Sequence, residues 1–316
     1  MYINYIKGEV IYMKRYLVLD IGGSSIKYSI MTENAEFLEK GNVTTPKEKL
    51  EEFVETIGCL YDKYKEEISG IAISMPGIID SEKGYAYTGG SLLYNNNKEI
   101  VKILQKRCPV NITIENDGKC AALAEVWKGT LKDCNDGIVI VLGTGVGGGV
   151  IKAKRIHKGK NFFAGEFSFI RTNVDDSENI DNMWAMKSGS SALIKSVAEV
   201  KGLDEKDVNG YKVFEYVNNG DEDVLKVFDD FTKILAVQII NLCCVLDPDK
   251  VAIGGGISDQ PLLIDYINKN LNNNYDKYTM FGELPRIQVE KCTFGNDSNL
   301  IGALYNYLTL KNNLAI

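Results

Sequence analysis

The chain has a single histidine, His157, and none of its seven cysteines (59, 108, 120, 134, 243, 244 and 292) are paired at CxxC spacing. A structural zinc site takes four Cys or His ligands at close spacing, so no zinc is expected. An odd cysteine count without a secretory leader fits a reducing cytoplasm, with the thiols read as small buried apolar groups. The opening MYINYIKGEVIYMKRY lacks the unbroken apolar stretch of a signal peptide. No apolar run reaches the ~18 residues that span a bilayer, so no membrane partner is expected. Positive charge is not in excess either. The 36 basic and 43 acidic residues give a net charge of -7, which argues against a nucleic acid held by bulk electrostatics. GxxxxGK[ST] does not occur, which excludes a P-loop. Low-complexity segments and long linkers are also missing, so any domain boundary lies inside a compact connection.

Within 316 residues, 45% hydrophobic and 25% charged, there is room for two ordinary globular domains. Met13-Lys14-Arg15 stands just before the first clear strand, and residues 1–12 are expected to be a poorly packed extension. The run 16–21 reads as a strand, with 26–31 and 35–41 as the next two of a meander. Residues 47–68 carry Leu50, Phe53, Val54, Ile57, Leu60, Tyr61 and Tyr64 at helical spacing. A strand at 70–75, a helix at 98–107 and a strand at 111–116 follow. Residues 117–129 form a helix with Asp117 expected as its N-cap and a glycine closing it. The second half restarts the pattern: strand 137–142, a glycine turn, two more strands, then helices at about 181–201, 210–218 and 221–246. Asp247-Pro248 stops the last of these. A strand from 250 ends in glycines, Ser258 is the expected cap of the next helix, 286–292 is a strand, and 296–308 closes the chain as a helix. We divide the chain into an extension (1–14), a small α/β domain (15–116) on which the closing helix 296–316 packs back, and a large α/β domain (117–295).

Three glycine turns carry the chemistry. The segment 137–149, GIVIVLGTGVGGG, places five glycines in seven positions around Thr144. Residues without Cβ let backbone N–H groups close on an anion. The device recurs at Gly22-Gly23-Ser24-Ser25, and a pair of such turns suits a ligand with more than one phosphate. Gly143-x-Gly145-x-x-Gly148 matches the dinucleotide fingerprint formally, but that motif needs a helix after the glycines and a strand pattern follows instead. Asp20, at a strand end beside the hydroxyl-rich turn and Lys27, suits a hydrated Mg²⁺ next to phosphates. A plain hairpin turn is the alternative. Gly254-Gly255-Gly256 adds a place where backbone can lie against adenine or an α-phosphate. Asn116-Asp117 sets an amide and a carboxylate at a strand-to-helix junction, where the carboxylate can take a proton from a hydroxyl that the amide holds. Alternatively, Asp117 only caps the helix. Gly165-Glu166 offers a second carboxylate, and Ser74-Met75-Pro76-Gly77 and Thr88-Gly89-Gly90 supply further turns suited to a polyhydroxylated ligand, each of which taken singly reads as a plain turn.

Together, DIGGSSIK, SMPGIID, ENDGKCAALAE, GTGVGGGV, FAGEF, IGGGI and GNDSNLIGALY resemble the ROK family (repressors, open reading frames, sugar kinases), in that family's order and over about residues 15–310. The resemblance implies an α/β, actin-like (ribonuclease H-like) two-domain sugar kinase fold with duplicated β-meanders and a sugar in an interdomain cleft. It also implies MgATP across the glycine turns, transfer of the γ-phosphoryl group to a hexose 6-hydroxyl, and a homodimer. By position, Asp117 would be the catalytic base, and Asn116 and Glu166 sugar ligands, with Gly77, Gly89 and Gly90 closing round the sugar. Gly22, Gly23, Ser24, Ser25, Lys27, Gly143, Thr144, Gly145, Gly147, Gly255 and Gly256 would hold ATP, and Asp20 the Mg²⁺ through water.

The chain departs from the family at its zinc cluster. No cysteine lies in 171–188, Phe169 replaces the zinc-ligand histidine, and Trp184 or a neighbour replaces a sugar-contacting glutamate. An aromatic or apolar lining there would tolerate a substituted sugar. The TGG segment, GEFSF and FGNDSNLIGALY most resemble bacterial β-glucoside kinases, with N-acetylmannosamine kinase and glucokinase as alternatives. A repressor of the family needs a helix-turn-helix of roughly 60 residues before the first glycine turn, and 19 residues precede Asp20. A catalytically silent sugar sensor would lack the base that Asp117 supplies.

Overall fold

The computed structural model describes residues 3–6 and 9–312, with side chains from 13 to 311. Strands Ile3–Ile6 and Glu9–Tyr12 pair as an antiparallel hairpin. The expected poor packing of residues 1–12 concerns side chains outside the described residues. From Arg15 onward the chain forms two compact units. One holds the chain through Trp127, Gly159–Phe163 and the residues from Asp297. The other holds Lys128–Lys158 and Ala164–Asn296.

The first unit is built on a five-stranded sheet. Strands β1 (Arg15–Ile21), β2 (Ser25–Thr32) and β3 (Phe37–Thr44) form the antiparallel meander, while β4 (Ile71–Met75) and β5 (Ile112–Asn116) run parallel to β1. The sheet order is β3-β2-β1-β4-β5. Apolar runs such as YLVLDI and IAISM are buried on both faces, as parallel strands covered by helices are. One face packs Leu17, Leu19, Ile73 and Ile114 against Phe53 and Ile57 of α1 (Leu50–Tyr64) and Leu104 of α2 (Ile100–Arg107). Helix α1 is shorter than the periodicity suggested at both ends. The helix α3 (Asp117–Lys128) belongs to this unit, beyond the boundary expected at Asn116–Asp117.

The second unit repeats the plan in full. Its strands are β6 (Gly137–Leu142), β7 (Val146–Lys152), β8 (Arg155–His157), β9 (Lys250–Gly254) and β10 (Val289–Lys291), in the order β8-β7-β6-β9-β10. Again the first three form an antiparallel meander and the last two are parallel to the central strand. The duplication therefore extends past the meander to the whole five-stranded sheet. The segment expected as one helix at 181–201 is two, α4 (Trp184–Ser188) and α5 (Ser190–Lys201), broken at Gly189. A Cβ on Gly189 would stand 2.2 Å from the Thr144 carbonyl oxygen, so the break lets the chain pass the glycine turn. Helices α6 (Gly210–Asn218), α7 (Glu222–Leu246) and α8 (Pro261–Tyr275) complete the unit, with Phe228, Leu235, Leu263 and Ile267 packed on Ile138, Ile140, Val251 and Ile253. Asp221 caps α7 by accepting the Val224 N–H at 3.2 Å. Ser258 does not cap α8. Its hydroxyl donates to the Gly255 carbonyl at 2.8 Å, and α8 starts at Pro261, whose missing N–H costs nothing at a helix start.

Helix α9 (Ser298–Asn312) packs back on β1, β4 and β5 of the first unit. Its Gly302 crosses α3 so closely that a Cβ there would lie 1.7 Å from the Cys120 carbonyl oxygen. Tyr305 stacks on Trp127 with ring centroids 5.0 Å apart. The thiols divide: Cys108, Cys120, Cys134 and Cys292 are buried as expected, whereas Cys59 and Cys244 are exposed. Among the described residues no helix is long and apolar enough to cross a membrane.

Candidate active site

In the first unit the parallel strands end together. Register places Asp20 beside Ser74, Ser74 beside Glu115, and Met75 beside Asn116. The segments after β1, β4 and β5, which hold the Gly22–Ser25 turn, Gly77 and Asp117, therefore leave the sheet at the same edge, where ligands of open α/β sheets bind.

Asp20 is 9% exposed. Its Oδ1 accepts from Ser74 Oγ at 3.0 Å and from Asn299 Nδ2 at 3.0 Å. Burial pushes its pKa up, and these two hydrogen bonds and the Lys27 charge only partly oppose that. Lys27 sits opposite Asp20 in the β1–β2 register and is exposed. A carboxyl whose folded pKa is raised contributes stability below its unfolded pKa. That contribution is lost as pH rises through the folded value, so at neutral pH the ionised Asp20 is a cost. Asp20→Asn is accordingly expected to raise Tm at pH 7. The gain should shrink as pH falls through the raised folded value and vanish below about 4, where the wild-type carboxyl is protonated in both states. Thermal melts across pH 3–8 check this; a lower Tm at pH 7 would contradict it.

At the Gly22–Ser25 turn, Gly22 N–H donates to Ser25 O at 3.0 Å and Gly22 O accepts from Thr45 Oγ1 at 2.7 Å. Gly23 and Ser24 are exposed at its tip.

Asn116, not Asp117, caps α3. Its Oδ1 accepts the Lys119 N–H at 3.0 Å, three residues on, which is the N-cap geometry. Its Nδ2 donates to Gly77 O and to Asp117 Oδ1, both at 3.0 Å. Asp117, the first helical residue, also receives the Gly118 N–H at 2.8 Å. The half-buried carboxylate is thus oriented at a helix N-terminus. Gly77 has φ +113°, and a Cβ would meet Thr88 O at 1.9 Å, so the Pro76–Ile78 and Thr88–Gly90 turns lie against each other. Ile78 N–H donates to Thr88 Oγ1 at 2.9 Å. Gly89 is buried with its N–H on Asn96 Oδ1 at 2.7 Å, while Gly90 is exposed.

In the second unit, β6 and β9 are parallel, with Val141 beside Gly254. The turns at 143–145 and 254–256 therefore emerge side by side. Gly255 has φ +96°, and a Cβ would sit 2.2 Å from Leu142 O. Around Gly143, Gly147 and Gly256 nothing lies within 4 Å of a Cβ position, which is open space for a ligand. Gly143 O is held by the N–H and hydroxyl of Ser190, each at 2.8 Å. The five-glycine run is not all turn: Gly147, Gly148 and Gly149 belong to β7. A Cβ on Gly148 would strike Val139 O at 2.0 Å and the Phe167 ring at 2.8 Å, so this glycine makes room for an aromatic side chain. Gly165, at φ +86°, likewise approaches the Gly148–Gly149 backbone and sets up Glu166, partly exposed ahead of a 3-10 turn at Phe167–Phe169. Trp184 is buried against Phe167, with ring centroids 5.9 Å apart, and so does not line an exposed surface; Phe169 is half-exposed.

Among the described residues no group of three or more His, Cys, Asp or Glu side chains is placed to hold a metal ion. Asp20 is a lone carboxylate held by two neutral donors, which fits a cation that keeps its waters. Ser74 and Asn299, which aim it, went unassigned from sequence. The only signal for Asn299 was its place in the closing GNDSNLIGALY motif. Glu115 also went unassigned; its two oxygens accept Asn116 N–H at 2.8 Å and Ser81 Oγ at 2.7 Å.

Residues 16–309 match the ROK family. The chain belongs to that family. It has the actin-like α/β fold of the ROK sugar kinases and is a kinase of that class. A β-glucoside kinase of Listeria innocua is 25% identical over 295 residues, covering 93% of this chain and 97% of the relative. An N-acetyl-D-glucosamine kinase of Vibrio atlanticus is 28% identical over 305 residues, covering 92% and 98%. A ROK family protein of Streptococcus pneumoniae, solved with sucrose, superposes with a TM-score of 0.84 at 27% identity, covering 95% and 99%.

Proposed function

We propose that this ROK kinase transfers the γ-phosphoryl group of ATP to the 6-hydroxyl of a hexose unit in a β-glucoside. The observation that carries the reading is Asp117, held at the α3 N-terminus by Gly118 N–H and Asn116 Nδ2. Phosphoryl transfer asks the protein mainly to position the acceptor and stabilise charge. Asp117 orients the hydroxyl and takes its proton, Asn116 and Glu166 hold neighbouring hydroxyls, and the turns at 22–25, 143–145 and 254–256 offer N–H groups to phosphate oxygens. Lys27 adds positive charge beside the first turn. Asp20 would hold Mg²⁺ through water, and the ion when bound offsets charge on the phosphoryl oxygens.

A substituted acceptor is supported by the relative named for β-glucosides and by the sucrose bound to the Streptococcus protein, and its β linkage by the first of these alone, since the glucose of sucrose is α-linked. It is also supported by the half-exposed Phe169, an apolar group in place of a metal-binding histidine. A coupled ADP-release assay with glucose, cellobiose, an aryl-β-glucoside and N-acetylmannosamine tests it. The highest kcat/KM is expected with the β-glucosides. A higher value with glucose or N-acetylmannosamine would reassign the acceptor, and no turnover with any would favour a sensor.

A further inference from the structure

Beside the Thr88–Gly90 turn the first unit carries an aromatic cluster that the reaction does not use. Tyr87 is 40% exposed, and the edge of Tyr85 meets it at a centroid distance of 4.9 Å. Phe162 stacks on it at 5.7 Å with 26° between the planes. Phe162 comes from the five residues Gly159–Phe163, which pack with the first unit although the chain on either side of them belongs to the second. Ala164 N–H closes that loop on Lys158 O at 3.2 Å. Phe162 has φ +58°, a conformation that is strained for a bulky side chain and persists only where surrounding structure enforces it. Tyr87 is itself tied down, its N–H on Ile78 O at 2.9 Å and its carbonyl accepting Asn97 N–H at 3.3 Å. Tyr87 is exposed and Phe162 half-buried, so the pair leaves apolar surface open beside the 88–90 turn.

We propose that Tyr87 and Phe162 form a platform for the aglycone of the β-glucoside, and thereby determine the preference for substituted over free glucose. This rests on the acceptor site proposed above, with Tyr87 directly preceding its 88–90 turn. Once the 6-hydroxyl is directed to Asp117, the group on the anomeric carbon, across the ring oxygen from the carbon that bears the hydroxymethyl group, must lie on some other surface. An aryl ring or a second pyranose presents a flat apolar face of C–H or π character, which suits an aromatic side chain with one face or edge still exposed. Contact with a part of the substrate remote from the reacting oxygen is made equally in ground and transition states, so its loss appears in KM and not in kcat.

The test compares kcat and KM for glucose and an aryl-β-glucoside in the wild type, Tyr87→Ala, Phe162→Ala and Tyr87→Phe, with thermal melts to show that each variant is folded. The two alanine variants are expected to raise KM for the aryl-β-glucoside about tenfold and for glucose less than about twofold. Tyr87→Phe, which keeps the ring, should retain wild-type selectivity. Equal losses for both sugars, or no loss for the glucoside, would overturn the platform. If the wild type phosphorylates neither sugar, the proposed acceptor fails. The platform is then judged by calorimetric binding of the same two sugars, where the same contrast supports it and its absence overturns it.

Discussion

Asp117→Asn is expected to lower kcat by about 10²- to 10⁴-fold, while KM for the sugar changes less than about threefold. Asparagine is nearly isosteric and keeps an oxygen for the Gly118 N–H, so the start of α3 survives. Asn116 Nδ2 donates to that same oxygen, Oδ1, at 3.0 Å, so this bond is kept too; the NH₂ group takes the place of Oδ2, where it still orients a hydroxyl but takes no proton from it. Because Asn116 and not Asp117 supplies the helix cap, the substitution tests chemistry with little loss of stability. Steady-state kinetics with the best acceptor, together with a thermal melt, checks the point. Turnover within a few-fold of wild type would remove Asp117 from the role of base.

The second large effect falls far from the hydroxyl. Gly302→Ala should destabilise the protein by about 2–4 kcal/mol, because the added methyl group would lie 1.7 Å from the Cys120 carbonyl oxygen. No rotamer relieves the overlap, since both Cβ and the carbonyl are fixed by helix backbones. Helices α9 and α3 must separate, which loosens the Tyr305–Trp127 stack and draws Asn299 off Asp20. A Tm lower by roughly 5 °C or more is expected. Gly202→Ala is the control: that glycine ends α5 with φ +63° and meets nothing within 4 Å, so it costs only backbone strain of about 1 kcal/mol. Equal Tm values for Gly302→Ala and wild type would mean the crossing has slack that the packing does not show.

How far the sequence could be read depended on the range of the interaction involved. The strands at 16–21, 71–75 and 112–116 were legible because parallel strands buried on both faces leave continuous apolar runs. The meander repeat was legible, and strands were expected from 250 and at 286–292, but that these match the earlier parallel pair was not, since helices of different length separate them in the two halves. The helix expected at 181–201 breaks at Gly189 for a reason that lies forty-odd residues away, the Thr144 carbonyl. Asn116 takes the cap expected of Asp117 because either side chain can cap. Only the position of the Lys119 N–H shows which one does.

The glycine runs show the same division. Composition alone marked 143–149 as a place where backbone must be approached closely, and it excluded a P-loop and a zinc cluster by plain absence of the residues they require. What does the approaching was decided in three dimensions. Around Gly143 and Gly147 the space is open, whereas Gly148 yields to the Val139 carbonyl and the Phe167 ring, and Gly165 lies against the Gly148–Gly149 backbone. The sequence by itself therefore determined the family, the two alternating halves and the residue types available for phosphoryl transfer, because these follow from local periodicity and from motifs short enough to be contiguous. Only the tertiary structure decided that Ser74 and Asn299 aim Asp20, that Gly77 meets Thr88, and that Phe162 reaches Tyr87. Those contacts join residues up to 279 positions apart, and no pattern along the chain encodes which distant surfaces close-packing will bring together.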